Sequence, residues 1–208
     1  ISQKRAWPNQ ILCVTFTNKA AKEMQSRVMS YLKGLPNAVP WLGTFHSISV
    51  KFLRRHAESL GFKSSFTILD TDDQKKLVRK ILEAENVDSK KISPQFVLAY
   101  IDRWKNKGLL PEDINIKRSN ILEKTILNIY SIYQNKIKEL NAMDFGDLIL
   151  YCVKLFEKHK DIADLYKKHF KYILVDEFQD TNFIQNKWLN LLVNSHQNIC
   201  CVGDDDQS

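Results

Sequence analysis

The sequence predicts an α/β protein in which a parallel sheet covered by helices is interrupted by a largely helical inserted subdomain. Three observations lead there. Four short apolar runs, Ile11–Phe16, Trp41–Phe45, Tyr172–Val175 and Ile199–Val202, have the length and β-branched content of buried parallel strands. Each ends in a polar turn, and the first three lead into helical periodicity. Between the second and third runs, from about Ser47 to His169, only Phe66–Leu69 reads as a strand.

The elements follow in order. After the first run, Ala20, Ala21, Met24, Val28, Tyr31 and Leu32 recur at helical spacing, with Thr17 or Asn18 available as the cap. After the second, Ile48, Phe52, Leu53 and Leu60 form a stripe that Gly61 ends with a left-handed stop. Thr71 with Gln74 reads as a capping box ahead of Leu77, Val78, Ile81 and Leu82, and Ser93 with Pro94 starts a helix that Gly108 terminates. Asn120–Leu140 carries Ile126, Ile129, Tyr130, Tyr133, Ile137 and Leu140 on one stripe, and Asp144 caps a helix running through Leu148 and Phe156. Past the third run, Ile184, Trp188, Leu191 and Leu192 form the last stripe. The expected divisions are residues 1–46 and 170–208 for the sheet domain and 47–169 for the insertion. The sequence holds no repeats, low-complexity tracts or Pro/Gly-rich linkers, so the insertion is expected to pack rather than hang on a tether.

Composition narrows the partners. A chain of 208 residues with 44% hydrophobic content can bury a core, and a formal charge of +7 suits an acidic partner, nucleic acid first, although a lysine-rich solvated surface gives the same figure. The four cysteines, Cys13, Cys152, Cys200 and Cys201, lack the spacing of a zinc site or a disulfide framework and read as small core residues. No apolar run reaches membrane-span length and no signal peptide is visible, so a cytoplasmic protein without a membrane partner is expected. A start at Ile1 without methionine and a stop directly after an acidic loop suggest a piece of a longer chain.

The chemistry sits at the strand ends. In Ile173–Thr181 (ILVDEFQDT), Asp176 and Glu177 fall just past the carboxyl end of a strand, where open parallel sheets bind ligands. Adjacent residues point to different sides, so one carboxylate can face Mg²⁺ while the other faces an attacking water, the division that phosphoryl transfer to water needs. The plain alternative is that strands end in polar loops. A second acidic end, Val202–Ser208 (VGDDDQS), favours a cation, because crowded carboxylates repel unless one is present. Gln207 offers an uncharged donor and acceptor suited to a terminal phosphate. At the other strand ends, Phe16, Thr17 and Asn18 in TFTNKAA, and Thr44, His46 and Ser47 in GTFHS, present groups fitted to phosphate oxygens and a ring that can stack on an unpaired base. Phe16 and Phe45 can equally be core, and His46 can simply cap a helix. No HxxxH or Ser-His-Asp arrangement points to another kind of hydrolase.

Taken together, TFTNKAA, GTFHS, VDEFQDT and VGDDDQS resemble motifs Ia, Ib, II and III of superfamily-one helicases, most closely the UvrD/Rep/PcrA group. DFGDL, Asp144–Leu148, resembles that group's DFDDL, with Gly146 in place of an acid. The resemblance implies a RecA-like motor domain split by a helical subdomain, and ATP and Mg²⁺ as cofactors. It implies single-stranded DNA and single-strand/duplex junctions as partners, and 3′-to-5′ movement in DNA repair or replication. It gives Asp176 the Mg²⁺ through its waters, Glu177 the role of base, and Gln207 contact with the γ-phosphate. It places Phe16, Asn18, Thr44 and His46 along the DNA path, and Gln179 and Asp180 between the two sites. The phosphate-binding Gly-rich loop is expected before Ile1, so the chain alone is expected to be inactive. A non-catalytic DNA-binding scaffold subunit is the alternative of another class, and the motor arm of a helicase-nuclease is a third.

Overall fold

A computed structural model describes residues 1, 3–32, 39–116, 120–193 and 198–204. In chain order the elements are β1 (Ile11–Thr15), α1 (Asn18–Tyr31), β2 (Trp41–Thr44), α2 (Phe45–His56), β3 (Thr67–Ile68), α3 (Thr71–Ala84), α4 (Pro94–Asn106), α5 (Ile121–Glu139), β4 (Ala142–Met143), α6 (Phe145–Lys158), α7 (Lys160–His169), β5 (Tyr172–Val175), α8 (Phe183–Asn190) and β6 (Ile199–Cys201). The chain divides into two units, Ile1–Phe52 with Cys152–Ser208, and Leu53–Tyr151.

The first unit is built on a parallel sheet of order β2-β1-β5-β6. Thr15 registers with Thr44, Val14 with Val175, and Val175 with Cys201, so the four carboxyl ends form one edge. β1 is central, with Leu12 and Val14 fully buried. β5 alternates: Ile173 and Val175 are buried while Tyr172 and Leu174 are exposed. The expectation of uniformly buried strands and core cysteines therefore fails on one side of the sheet. Cys13 and Cys152 are buried, but Cys200 and Cys201 lie exposed on β6, one of the two edge strands of this sheet among the described residues.

An aromatic cluster fills the other face. Trp41 stacks on Phe52 at 4.9 Å, Phe52 meets Tyr166 edge-on at 4.5 Å, and Phe45 meets Trp188 at 5.5 Å. Rings supply much buried apolar area with few rotors to immobilise, and Trp188 satisfies its indole N–H by donating to Cys152 Sγ at 3.1 Å. This cluster accounts for a shift in the domain boundaries. Residues 47–52 and 152–169 were expected in the insertion, yet Ile48, Phe52, Phe156 and Tyr166 are buried in the unit that carries the sheet.

The second unit packs α3, α4 and α5 around Val78, Leu82, Val97, Ile101, Ile129 and Tyr133. A two-stranded parallel ribbon, β3 with β4, gives the Phe66–Leu69 segment its partner. Ser93 caps α4 as expected, accepting from Phe96 N–H, and Asn120 caps α5, accepting from Glu123 N–H. The cap of α3 is Asp70, not Thr71: its carboxylate accepts from the N–H groups of Asp72 and Asp73 at 2.9 and 2.8 Å. Thr71 is already helical, and a carboxylate one residue earlier reaches two amides where a hydroxyl reaches one. Leu140, placed on the apolar stripe of α5 by periodicity, lies just past the helix end and is exposed.

Candidate functional site

The acidic edge is set by how the chain leaves β5. The Asp176 N–H donates to the Val14 carbonyl at 3.0 Å, Val202 N–H to Val175 O at 2.8 Å, and Phe178 N–H to Val202 O at 2.9 Å. The backbone is thus held between β1 and the segment after β6. Glu177 is left-handed, φ 52° and ψ 47°. For a residue with a side chain that conformation costs about 1–2 kcal/mol, and the flanking hydrogen bonds hold it in place. Strand alternation ends there. Asp176 and Glu177, both half-buried, line one cleft of about 460 Å³ against Ala20, Glu23, Met24 and Arg27 of α1. The alternation that would set neighbours on different sides does not extend past the positive φ of Glu177.

One side chain joins the two acidic strand ends. Gln179 donates from Nε2 to Glu177 Oε2 at 2.7 Å and accepts the Asp204 N–H on Oε1 at 3.2 Å. Asp204 therefore stands at the same sheet edge as Asp176. Asp180 is exposed in the 3₁₀ turn Phe178–Asp180 and donates its N–H to the Glu177 carbonyl at 3.0 Å. Asp205, Asp206 and Gln207 lie outside the described residues. Among the described residues no group of three or more His, Cys, Asp or Glu side chains is placed to hold a metal ion.

The other half of the edge carries the remaining expected residues. Thr17 caps α1, accepting from Ala20 N–H at 3.1 Å, which leaves Asn18 exposed in the first turn. Phe16 is half-buried with its ring edge-on to Phe45 at 5.5 Å, while Phe45 itself is core at 1% exposure. Thr44 is buried and its hydroxyl accepts the Ser47 N–H at 3.2 Å. It shapes the turn rather than presenting a free hydroxyl. His46 is half-buried, and burial lowers its pKa from the ordinary 6.5, so near neutral pH it offers a hydrogen bond and no charge.

Sequence reasoning missed a buried ionic cluster in the second unit. Lys105 Nζ lies 2.7 Å from Asp144 Oδ2 and 2.8 Å from Asp147 Oδ1, with all three side chains almost wholly buried. Tyr133 donates its hydroxyl to Asp144 Oδ2 at 2.8 Å, and Gln134 Nε2 donates to Asp147 Oδ1 at 2.9 Å. Asp144 and Asp147 also accept each other's N–H, closing the first turn of α6. Burial pushes both carboxyls up, but the Lys105 ammonium holds Asp144 below its ordinary value, while Asp147, facing Asp144 as well, rises to about 6. The acids of DFGDL are thus the ligands of a buried lysine. At Gly146 a Cβ would come within 2.9 Å of Lys105 Cδ, so an acid there requires the lysine stem to shift. The spacing of the two aspartates carried the signal; nothing local marked Lys105 as their partner.

Comparison with known proteins places this geometry. The family model of the UvrD/REP helicase N-terminal domain matches residues 1–208. The chain is 45% identical over 213 residues to a probable DNA helicase II homolog of Rickettsia conorii, covering 100% of this chain and 32% of that protein. It is 44% identical over 212 residues to the DNA helicase II of Rickettsia typhi, covering 100% of this chain and 32% of that protein. It is 41% identical over 208 residues to the ATP-dependent DNA helicase PcrA of Staphylococcus epidermidis, covering 100% of this chain and 28% of the relative. The chain thus spans about a third of the length of the curated relatives it matches. No helix among the described residues is long and apolar enough to cross a membrane. With an all-parallel sheet whose carboxyl edge gathers the acids, and a family match along its whole length, the chain belongs to the UvrD/REP helicase N-terminal domain family.

Proposed function

We propose that this chain is part of an ATP-dependent DNA helicase of 3′-to-5′ polarity, working in the cytoplasm on single-stranded DNA and its junctions with duplex, in repair or replication. The observation that carries the reading is the cleft at the strand edge, where Asp176 and Glu177 are both presented beside α1. The relatives named as DNA helicase II and as ATP-dependent PcrA support it. On this reading the unit with the sheet is the first motor domain, and Leu53–Tyr151 is its inserted subdomain.

The residues divide the work. ATP is the fuel, and Mg²⁺, when bound, neutralises phosphate charge; Asp176 is the carboxylate that fits it, held by its backbone and open to the cleft. Glu177 accepts the proton of the attacking water, its left-handed backbone turning it into the same cleft. Gln207 contacts the terminal phosphate, and Gln179 and Asp180 couple nucleotide to DNA. Phe16 offers an aromatic face to a base, while Asn18, His46 and the turn capped by Thr44 meet the backbone of the strand.

The test uses the longer protein that carries this chain. Glu177→Gln keeps shape and removes the base. DNA-stimulated ATP turnover should fall on the order of 10²- to 10⁴-fold while nucleotide binding is retained. An unchanged turnover removes Glu177 from the mechanism.

A further inference from the structure

We propose that Gln179 is a positioning residue for Glu177, and that residue 203 is glycine because the segment after β6 must approach the Gln179 amide closely. The inference rests on Glu177 acting as the base, as argued above. Gln179 spans the two strand ends with one planar group, donating to Glu177 Oε2 at 2.7 Å and accepting from Asp204 N–H at 3.2 Å. An amide can do both at once; a carboxylate only accepts and an ammonium only donates. The left-handed backbone at Glu177 takes its side chain out of the strand alternation that orients its neighbours, so its carboxylate needs a fixing contact, and the Gln179 amide supplies one.

Gly203, in the segment after β6, closes on the same amide. A Cβ built there would stand 2.5 Å from Gln179 Oε1, closer than real Cβ contacts. A side chain at residue 203 therefore requires the Gln179 amide to shift from the position in which it makes both hydrogen bonds. The consequence is mechanical. Glu177 stands in place only while Gly203 and Asp204 stand against Gln179, so a shift of the segment after β6 reaches the carboxylate through a single side chain.

The experiment uses the longer protein with single-stranded DNA present. For Gln179→Ala, Gly203→Ala, the double variant and Gln179→Glu it measures kcat and KM for ATP, the Kd of a non-hydrolysable ATP analogue, and the thermal midpoint. Each single substitution should lower kcat roughly 10- to 100-fold, as a misplacement of about 1 Å does, and leave the analogue's Kd within about threefold. The double variant should be no slower than Gln179→Ala, because without the amide a methyl at residue 203 meets nothing to displace. Gln179→Glu keeps the acceptor for Asp204 N–H but sets oxygen against Glu177 Oε2, and kcat should fall with the thermal midpoint held. That variant decides the matter if Gln179→Ala fails to fold. A kcat within about twofold of wild type for Gln179→Ala, or an equal cost of Gly203→Ala in both backgrounds, overturns the proposal. Glu177→Gln run alongside separates the two claims. If it loses turnover and Gln179→Ala does not, only the positioning role fails; if it keeps turnover, the assignment of the base fails first.

Discussion

Replacing Lys105 with methionine removes the ammonium that pairs with two buried carboxylates while keeping most of the stem's volume. The ammonium sits 2.7 and 2.8 Å from its partners with its side chain fully buried. At an effective dielectric of about 20 each contact is a gross attraction of roughly 6 kcal/mol, most of it offset by desolvation of the ions. Losing one partner of such a cluster costs about 3–5 kcal/mol, because the remaining charges stay buried and unpaired. Hydrogen exchange read on peptides from α4 and α5 should show protection falling by roughly two to three and a half orders of magnitude at pH 7.5. The pH dependence carries a sign. Asp147 titrates at about 6 in the folded protein against an ordinary 3.8, so on its account stability declines as pH rises from about 4 to 6. Asp144, held below its ordinary value, acts in the opposite sense, its contribution being lost as pH falls below about 4. Lys105, raised above its ordinary value because the two carboxylates outweigh burial, contributes across the whole neutral range. Without Lys105 the raised carboxyl goes further up, and the decline continues above pH 6. The deficit of Lys105→Met should therefore be larger at pH 8 than at pH 5. A loss below about 1 kcal/mol, or one that does not change with pH, would refute this account of the cluster.

Two further outcomes follow from the caps and rings. Asp70→Ala should cost about 0.5–2 kcal/mol, and Thr71→Ala much less, in hydrogen-exchange protection of α3; equal costs would restore Thr71 as the cap. Phe45→Ala, in the core, should cost about 3–5 kcal/mol of stability, whereas Phe16→Ala should spare most of the stability and cost about 1–3 kcal/mol of single-stranded DNA affinity in a fluorescence titration. Unchanged DNA affinity in Phe16→Ala removes it from the proposed path.

The sheet was legible because each strand is a run of apolar residues broken abruptly by polar ones, and hydrogen bonding then carries the ends to one edge. Ile11–Thr15 and Trp41–Thr44 each stop one residue short of the predicted run, at the point where Phe16 and Phe45 turn into the following segment. Local ambiguity explains the α3 cap, since Asp70 and Thr71 are both capping residues and only the geometry chooses between them. Distance along the chain explains the rest. Lys105 and Asp144 are 39 residues apart, and Gln179 and Asp204 are 25 apart, so no window of sequence shows either contact. Lys105 also reads as one more solvated lysine in a basic chain. Strand alternation sets Asp176 and Glu177 on different sides, a rule that stops applying once the φ of Glu177 turns positive.

The most direct measurement is a structure of the longer protein bound to a non-hydrolysable ATP analogue with Mg²⁺. Its phosphates should lie at the carboxyl edge of the sheet, with Asp176 and Glu177 facing the terminal phosphate from the cleft beside α1. A nucleotide seated elsewhere, such as the pocket of Trp7, Pro8, Pro40 and His169 at the start of β1, would contradict the account.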